Sequence, residues 1–265
     1  MQHYSRSLNL KGIFLFDIDG VIRDVTASYR LAIQKTVHHF TSFTPSIEEI
    51  DDLKKEGYWN NDWDTSLELI KRQQINDLSS KNIPKKEDLI SIFNEFYFGG
   101  DPDGNPKQWK GFIKNEPLLV KKELFKQLTL EGYKWGFVSG AEYASAMYIL
   151  QKRLGLFNPP LIAMGDAPEK PNPQGLIQLA TDLAHRTLGE GTPLITYIGD
   201  TVADVLTIEN AKKIIPSQAF RSMAIAPPHL HKKNHHELRL NYEEKLREAG
   251  AEIIISSMEE VINHI

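Results

Sequence analysis

At 265 residues the chain is long enough for one large domain or two modest ones. A hydrophobic share of 41% beside 25% charged residues matches an ordinary globular protein, and a net charge of −4 gives no support for a nucleic-acid partner. No cysteine means no disulfide and no thiolate metal site, no apolar run approaches the roughly 20 residues of a membrane span, and Met1 to Lys11 carries too little apolar sequence for a signal peptide, so a cytoplasmic location is the default expectation.

The first element is the apolar run Gly12 to Phe16, which reads as a buried strand. It leads straight into Asp17-Ile18-Asp19-Gly20-Val21-Ile22. In a strand, residues i and i+2 point the same way, so both acids face one cavity if the extended geometry persists. If the chain turns between them at Gly20, one side chain and the next carbonyl can share a cation. Either geometry suits one acid that attacks and another that moves protons. The same residues also read as a strand followed by an Asx turn.

From 22 to about 116 the pattern is mostly helical: Ala27 to Phe40, Ser46 to Glu56, Thr65 to Asn76 and Lys86 to Phe98. Ser46 with Glu49 forms a capping box at the second of these. The stretch ends in a loop rich in breakers, Gly99 to Pro106. Gly57-Tyr58-Trp59-Asn60-Asn61-Asp62-Trp63 joins two helices, and its aromatics and amides suit a polyhydroxylated or heterocyclic ligand. Asn60 and Asn61 are the candidate specificity residues there. The alternative is a helix–helix turn with Asp62 as N-cap and the Trp rings packed inward. Arg23, close to the paired acids, is a further specificity candidate that could meet a second anionic group. A surface salt bridge with Asp24 or another acid is the competing reading.

Beyond 116 the pattern alternates. A helix over Leu118 to Leu130 precedes a strand over Trp135 to Val138 that ends in Ser139-Gly140. A serine there, with a backbone N–H behind it, makes a pair of donors for phosphate oxygens, or else an N-cap for the helix over Ala141 to Leu154. A strand over Pro160 to Met164 is followed by Glu169-Lys170-Pro171-Asn172-Pro173, a stiff loop that fixes an ammonium better than a flexible one would. A strand over Leu194 to Ile198 ends in Gly199-Asp200, with Asp204 one helical turn further on. Those two acids can hold a hard divalent cation, or serve as an N-cap and a helix-face acid. Later strands fall at Met223 to Ala226 and Ala251 to Ile255. This alternation predicts an α/β fold, a doubly wound parallel sheet with helices on both faces, and such sheets carry their sites at the carboxyl ends of strands.

These four stretches, in order along nearly the whole chain, resemble the haloacid dehalogenase superfamily, in its branch with a helical cap and similar to phosphoglycolate phosphatases. The resemblance implies a Rossmann-like core of 1–21 and 117–265 with an all-helical cap inserted at 22–116. It implies a phosphatase that cleaves a small phosphorylated metabolite in two steps. Asp17 would attack phosphorus, and Asp19 would protonate the leaving oxygen and then activate water. Mg²⁺ would be held by Asp17, the Asp19 carbonyl and Asp200, with Asp204 supporting the metal shell or orienting Lys170. Ser139, Gly140 and Lys170 would bind the phosphoryl oxygens. In the family's dehalogenase and phosphonate-cleaving branches the position of Asp19 is typically not an acid, so Asp19 resembles the phosphatase and phosphomutase branches. A phosphomutase acting on a sugar phosphate, and a silent protein that binds a phosphometabolite, are the alternatives. Oligomeric state is left open.

Four histidines in His229-Leu230-His231-Lys232-Lys233-Asn234-His235-His236 invite a metal reading. No acid or cysteine completes a zinc spacing, so 229–249 reads as an exposed insertion before the last strand.

Overall fold

A computed structural model describes residues 10–55, 59, 61–76 and 83–265. The chain forms two compact units, one running up to Asp24 and resuming over Leu118–Ile265, the other Val25–Pro117.

Among the described residues the first unit is built on six parallel strands: β1 Gly12–Phe16, β2 Tyr133–Val138, β3 Leu161–Ile162, β4 Ile195–Gly199, β5 Phe220–Ile225 and β6 Ile253–Ile255. Their order is β3-β2-β1-β4-β5-β6, with β1 paired in parallel to both β2 and β4. Every residue of β1 and of β4 is buried, as a central parallel strand covered on both faces requires. The period of two sorts β1 cleanly. Ile13 and Leu15 join a cluster with Val138, Ile195 and Tyr197 under Leu176, Leu179 and Ala180. Phe14 and Phe16 point the other way, where Phe16 meets Phe125 edge-on at 5.4 Å and lies 6.0 Å from Phe137. The first cluster is covered by α7 (Gln174–Ala184), the second by α5 (Lys122–Leu130).

Two differences from the sequence expectation have simple causes. Residues 118–121 are not helical: Leu118 pairs with Arg23, and Leu119 N–H donates to the Ile22 carbonyl at 2.8 Å. The helix therefore starts only at Lys122. The edge strand β3 is cut to two residues: past Ile162, Met164 N–H donates to the Ala141 carbonyl at 3.0 Å, beyond the end of β2, while Ala163 N–H donates to the Asp166 side chain at 2.9 Å. Lys170–Pro171 is a cis peptide bond.

Among the described residues the second unit holds four α-helices, α1 (Thr26–Thr41), α2 (Ile47–Lys55), α3 (Asp62–Asn76) and α4 (Lys86–Tyr97). Ala32, Ile33 and Val37 of α1, Ile70 of α3 and Leu89 and Phe93 of α4 are buried there. Ser46 N–H donates to Glu49 Oε2 and Glu49 N–H to Ser46 Oγ, the reciprocal pair that opens α2. Glu116 is buried, and one of its oxygens accepts from both Ser28 Oγ and Tyr97 OH.

The histidine-bearing stretch is tied down rather than exposed throughout. His231 Nε2 lies 2.9 Å from the Ala226 carbonyl and His235 Nδ1 lies 2.8 Å from the His229 carbonyl. Helix α9 (His236–Glu248) follows, and its Leu246 is fully buried against Val205 and Ala224. Among the described residues these histidines form no metal-binding group.

Candidate active site

Three strand ends and one loop bring the site together. Asp17 directly follows β1, and its N–H donates to the Ile198 carbonyl at 2.8 Å, so the nucleophile candidate still sits in sheet register. Asp200 directly follows β4, and Asp204 lies in the first turn of α8 (Val202–Ile214). The chain then turns away from β1 at Gly20, with φ +78°, while Ile22 and Arg23 N–H groups both donate to the Ile18 carbonyl. A Cβ on Gly20 would lie 2.0 Å from Asp200 Oδ2, so this glycine is needed both for its backbone angle and for the approach of Asp200.

Asp17, Asp200 and Asp204 are buried, and one carboxylate oxygen from each lies within 4.8 Å of the others. Lys170 is the cation among them. Its Nζ lies 3.1 Å from Asp17 Oδ2 and donates to Asp204 Oδ1 at 2.5 Å and to Tyr197 OH at 3.2 Å. Asp204 Oδ2 is also engaged: it accepts from Thr201 N–H at 3.0 Å and from Thr201 Oγ at 2.6 Å, while Asp204 N–H donates back to that hydroxyl. Both oxygens of Asp204 thus have protein partners. The Tyr197 hydroxyl lies 2.9 Å from the Val138 carbonyl and 3.0 Å from Asp204 Oδ1, and locks the lysine's socket to β2.

The electrostatics follow from three acids and one ammonium in a dry place. The Asp17 carboxyl is raised to about 6: burial pushes it up most, Lys170 pulls it down, and Asp204 and Asp19 push it up again. Asp200 is raised well above the usual carboxylate range by burial and then by Asp204 and Asp17. Asp204 ends below its ordinary value, because the charge and hydrogen bond of Lys170 and the bonds from Thr201 outweigh burial. Lys170 is held well above its ordinary value, since Asp17 and Asp204 outweigh burial. Asp17 Oδ1 is buried with no hydrogen-bond partner. An acceptor oxygen left bare beside a second raised carboxylate suits a hard divalent cation such as Mg²⁺, which takes oxygen ligands and offsets the excess negative charge. Asp17 and Asp200 are the side chains that fit it.

The other expected residues are distributed as follows. Ser139 is buried, and its Oγ accepts from Ala141 N–H at 3.2 Å. Gly140 is exposed, with open space where a side chain would stand. The Asp19 side chain is 26% exposed and paired with Arg23. Arg23, the other specificity candidate, is fully buried, with Nε donating to Asp19 Oδ1 at 2.6 Å and Nη2 to Ser145 Oγ at 2.8 Å. Asn61 is used locally. Its Oδ1 accepts from Trp63 and Asp64 N–H groups, which makes Asn61, rather than Asp62, the cap of α3. Asn60 lies outside the described residues.

Three residues of this region escaped the sequence reading. Tyr197 looks like one more apolar residue of a buried strand. Ser145 reads as an ordinary helix position of α6 (Tyr143–Met147). Tyr242 of α9 donates to the Asp200 carbonyl at 3.1 Å, and its only signal was its spacing of four from Leu246.

Fold and site together define a doubly wound α/β protein whose acids gather where parallel strands end. The family model for haloacid dehalogenase-like hydrolases matches residues 12–212, and the chain belongs to that family. A protein from Phytophthora nicotianae, named imidazoleglycerol-phosphate dehydratase, is 31% identical over 194 residues, which is 72% of this chain and 40% of that protein. The chain thus spans about two-fifths of the length of that curated relative. Among solved structures, a phosphonoacetaldehyde hydrolase-like protein from Oleispira antarctica matches at 15% identity with a TM-score of 0.65, covering 97% of this chain and 93% of the other. A phosphatase from Thermococcus thioreducens matches at 20% identity with a TM-score of 0.59, over 89% and 99%. CbbY from Rhodobacter sphaeroides, in complex with phosphate, matches at 13% identity with a TM-score of 0.61, over 95% and 96%. At such identities the likeness is one of fold. No described helix is long and apolar enough to cross a membrane.

Proposed function

We propose that this chain is a Mg²⁺-dependent phosphatase that hydrolyses a small phosphate monoester through an aspartyl-phosphate on Asp17. The observation that carries this reading is the state of Asp17. It is a buried carboxylate with Oδ2 on Lys170 and Oδ1 bare, and a second acid, Asp19, stands two residues on. Asp17 attacks phosphorus, and the bond from phosphorus to the ester oxygen breaks as Asp19 gives that oxygen its proton. Water then attacks the phosphorus of the aspartyl-phosphate and surrenders a proton to Asp19, the bond to Asp17 breaks, and phosphate leaves. The Ser139 hydroxyl, the Gly140 N–H and Lys170 bind the phosphoryl oxygens. Mg²⁺, bound by Asp17, the Asp19 carbonyl and Asp200, would supply the charge that lets a carboxylate approach a phosphate anion. Lys170 shares that task, and its socket of Asp204 and Tyr197 keeps the ammonium aimed at Asp17.

The name of the Phytophthora relative favours one substrate class. Only part of that protein corresponds to this chain, and its name concerns a phosphate ester bearing an imidazole ring. We read this chain as acting on a phosphate monoester of an imidazole-bearing alcohol.

The test is phosphate release from a panel of metabolites: imidazole-bearing phosphate esters, sugar phosphates and phosphoglycolate, with Mg²⁺ and with EDTA, beside the Asp17→Asn protein. Release that needs Mg²⁺ and disappears in the variant supports the reading, and the preferred ester tests the substrate class. A hexose phosphate converted to its isomer, without free phosphate, would make the chain a mutase instead. Ligand-induced thermal shifts without any turnover would make it a binding protein.

A further inference from the structure

Helix α9 lies in the stretch that reads from sequence as an exposed insertion, yet one of its faces reaches the site. Leu246 is buried with Val205 and Ala224, and Tyr242, Ala249 and Val202 pack against that cluster. Tyr242, Leu246 and Ala249 recur at helical spacing, so they share one face. Val202 and Val205 lie at the start of α8, the same turn that carries Asp204. The Tyr242 ring is thereby seated beside the acids, and its hydroxyl donates to the Asp200 carbonyl at 3.1 Å.

That carbonyl belongs to the peptide joining Asp200 to Thr201, where the chain leaves β4 for α8. The other polar group of the same peptide is held too, since Thr201 N–H donates to Asp204 Oδ2 at 3.0 Å. A peptide unit is planar, so ties at both its polar ends resist rotation of the whole plane. The backbone angle that aims the Asp200 side chain is set in this way. Its carboxylate has little latitude, because it stands where a Cβ on Gly20 would come within 2.0 Å of Oδ2. One tie comes from Asp204 within the site, the other from a residue 42 positions along the chain.

We propose that Tyr242 is a positioning residue for the metal site: its hydroxyl holds the Asp200–Thr201 peptide so that the Asp200 carboxylate meets Mg²⁺ in one orientation, which favours Mg²⁺ over Ca²⁺. The inference rests on the Mg²⁺-dependent reading above. Groups behind a metal ligand fix its direction, and their loss costs about 10- to 100-fold in metal affinity. Tyr242 acts on the main chain rather than on the carboxylate itself, so the low end of that range applies. Mg²⁺ demands near-ideal octahedral geometry, whereas Ca²⁺ accepts its oxygens in looser arrangements. A carboxylate released to swing therefore harms Mg²⁺ binding more than Ca²⁺ binding. General damage to the fold would weaken both alike.

The test is calorimetric titration of the full chain, without substrate, with Mg²⁺ and separately with Ca²⁺. Tyr242→Phe keeps the ring against Val205 and Leu246 and removes only the hydroxyl. Its Kd for Mg²⁺ is expected to rise about 10-fold and its Kd for Ca²⁺ by less than about threefold. If that protein does not fold, Tyr242→Leu stands in, with the same contrast between the two ions expected. A Mg²⁺ affinity that matches wild type, or a loss for Ca²⁺ as large as that for Mg²⁺, would overturn the role of Tyr242 and leave the phosphatase reading standing. A wild type that binds no Mg²⁺ would bring down both.

Discussion

The acid that this account makes the nucleophile is a burden on the fold when no cation is bound, and Asp17→Asn should reveal it. Burial and its acidic neighbours raise Asp17 from 3.8 to about 6. The folded protein then binds that proton more tightly than the unfolded chain does. Stability from this group is complete below pH 3.8 and is lost as pH rises through about 6. At about 1.36 kcal/mol per unit, the penalty is about 3 kcal/mol at pH 7.5 and about half that at pH 5. An asparagine carries no such penalty, although its amide must find partners of its own. In EDTA at pH 7.5 the Asp17→Asn protein should therefore melt above wild type, by about 6 °C at about 2 °C per kcal/mol. The gap should shrink by about half at pH 5. Saturating Mg²⁺ should reverse the order, because at a thousand times its Kd a ligand adds about 4.1 kcal/mol to the protein that binds it, more than the penalty. The assay is a thermal melt of both proteins, in EDTA and in Mg²⁺, at the two pH values. An Asp17→Asn protein that melts below wild type in EDTA at pH 7.5, or a gap that ignores pH, would refute the reasoning.

Gly20→Ala should abolish phosphate release and lower the melting temperature, since a methyl group would lie 2.0 Å from Asp200 Oδ2 at a φ of +78°; a variant with normal Mg²⁺-dependent turnover would contradict this. Tyr197→Phe leaves the buried Val138 carbonyl without its donor and Lys170 without one contact, so it should cost about 1–3 kcal/mol in a denaturant melt and reduce kcat. Unchanged kcat would remove Tyr197 from the socket of Lys170. Asn61→Ala should cost about 1 kcal/mol as a lost helix cap and leave the ranking of substrates as it was. A changed ranking in KM would return Asn61 to a role in specificity.

What could be read in the sequence follows a physical line. Strands β1 and β4 announce themselves because a central parallel strand is apolar along its whole length, and the acids that follow them are marked by that position alone. Lys170 is marked by the prolines around it. Partners distant in sequence are not marked. Arg23 is buried because Ser145, 122 residues later, and Asp19 receive it; from the sequence a charged side chain beside a turn reads as surface. Tyr197 carries an apolar signature on a polar task, and only its meeting with Lys170 and Asp204 discloses the hydroxyl's use. Asn61 differed from the expectation at short range: Asn and Asp both cap helices, and adjacent candidates cannot be ordered by type. Leu118, Leu119 and Val120 carry apolar side chains fit for a helix, yet the backbone of Leu118 and Leu119 is drawn to Arg23 and Ile22.

The central claim is a covalent aspartyl-phosphate on Asp17, and the direct measurement is to trap it. Wild-type protein turning over a substrate is quenched and reduced with borohydride, which converts an acyl phosphate to an alcohol, and its peptides are weighed. The account predicts a reduced residue at position 17 that depends on substrate and Mg²⁺ and is missing from the Asp17→Asn protein. Steady turnover with no mark at 17, or a mark on Asp19 instead, would contradict it.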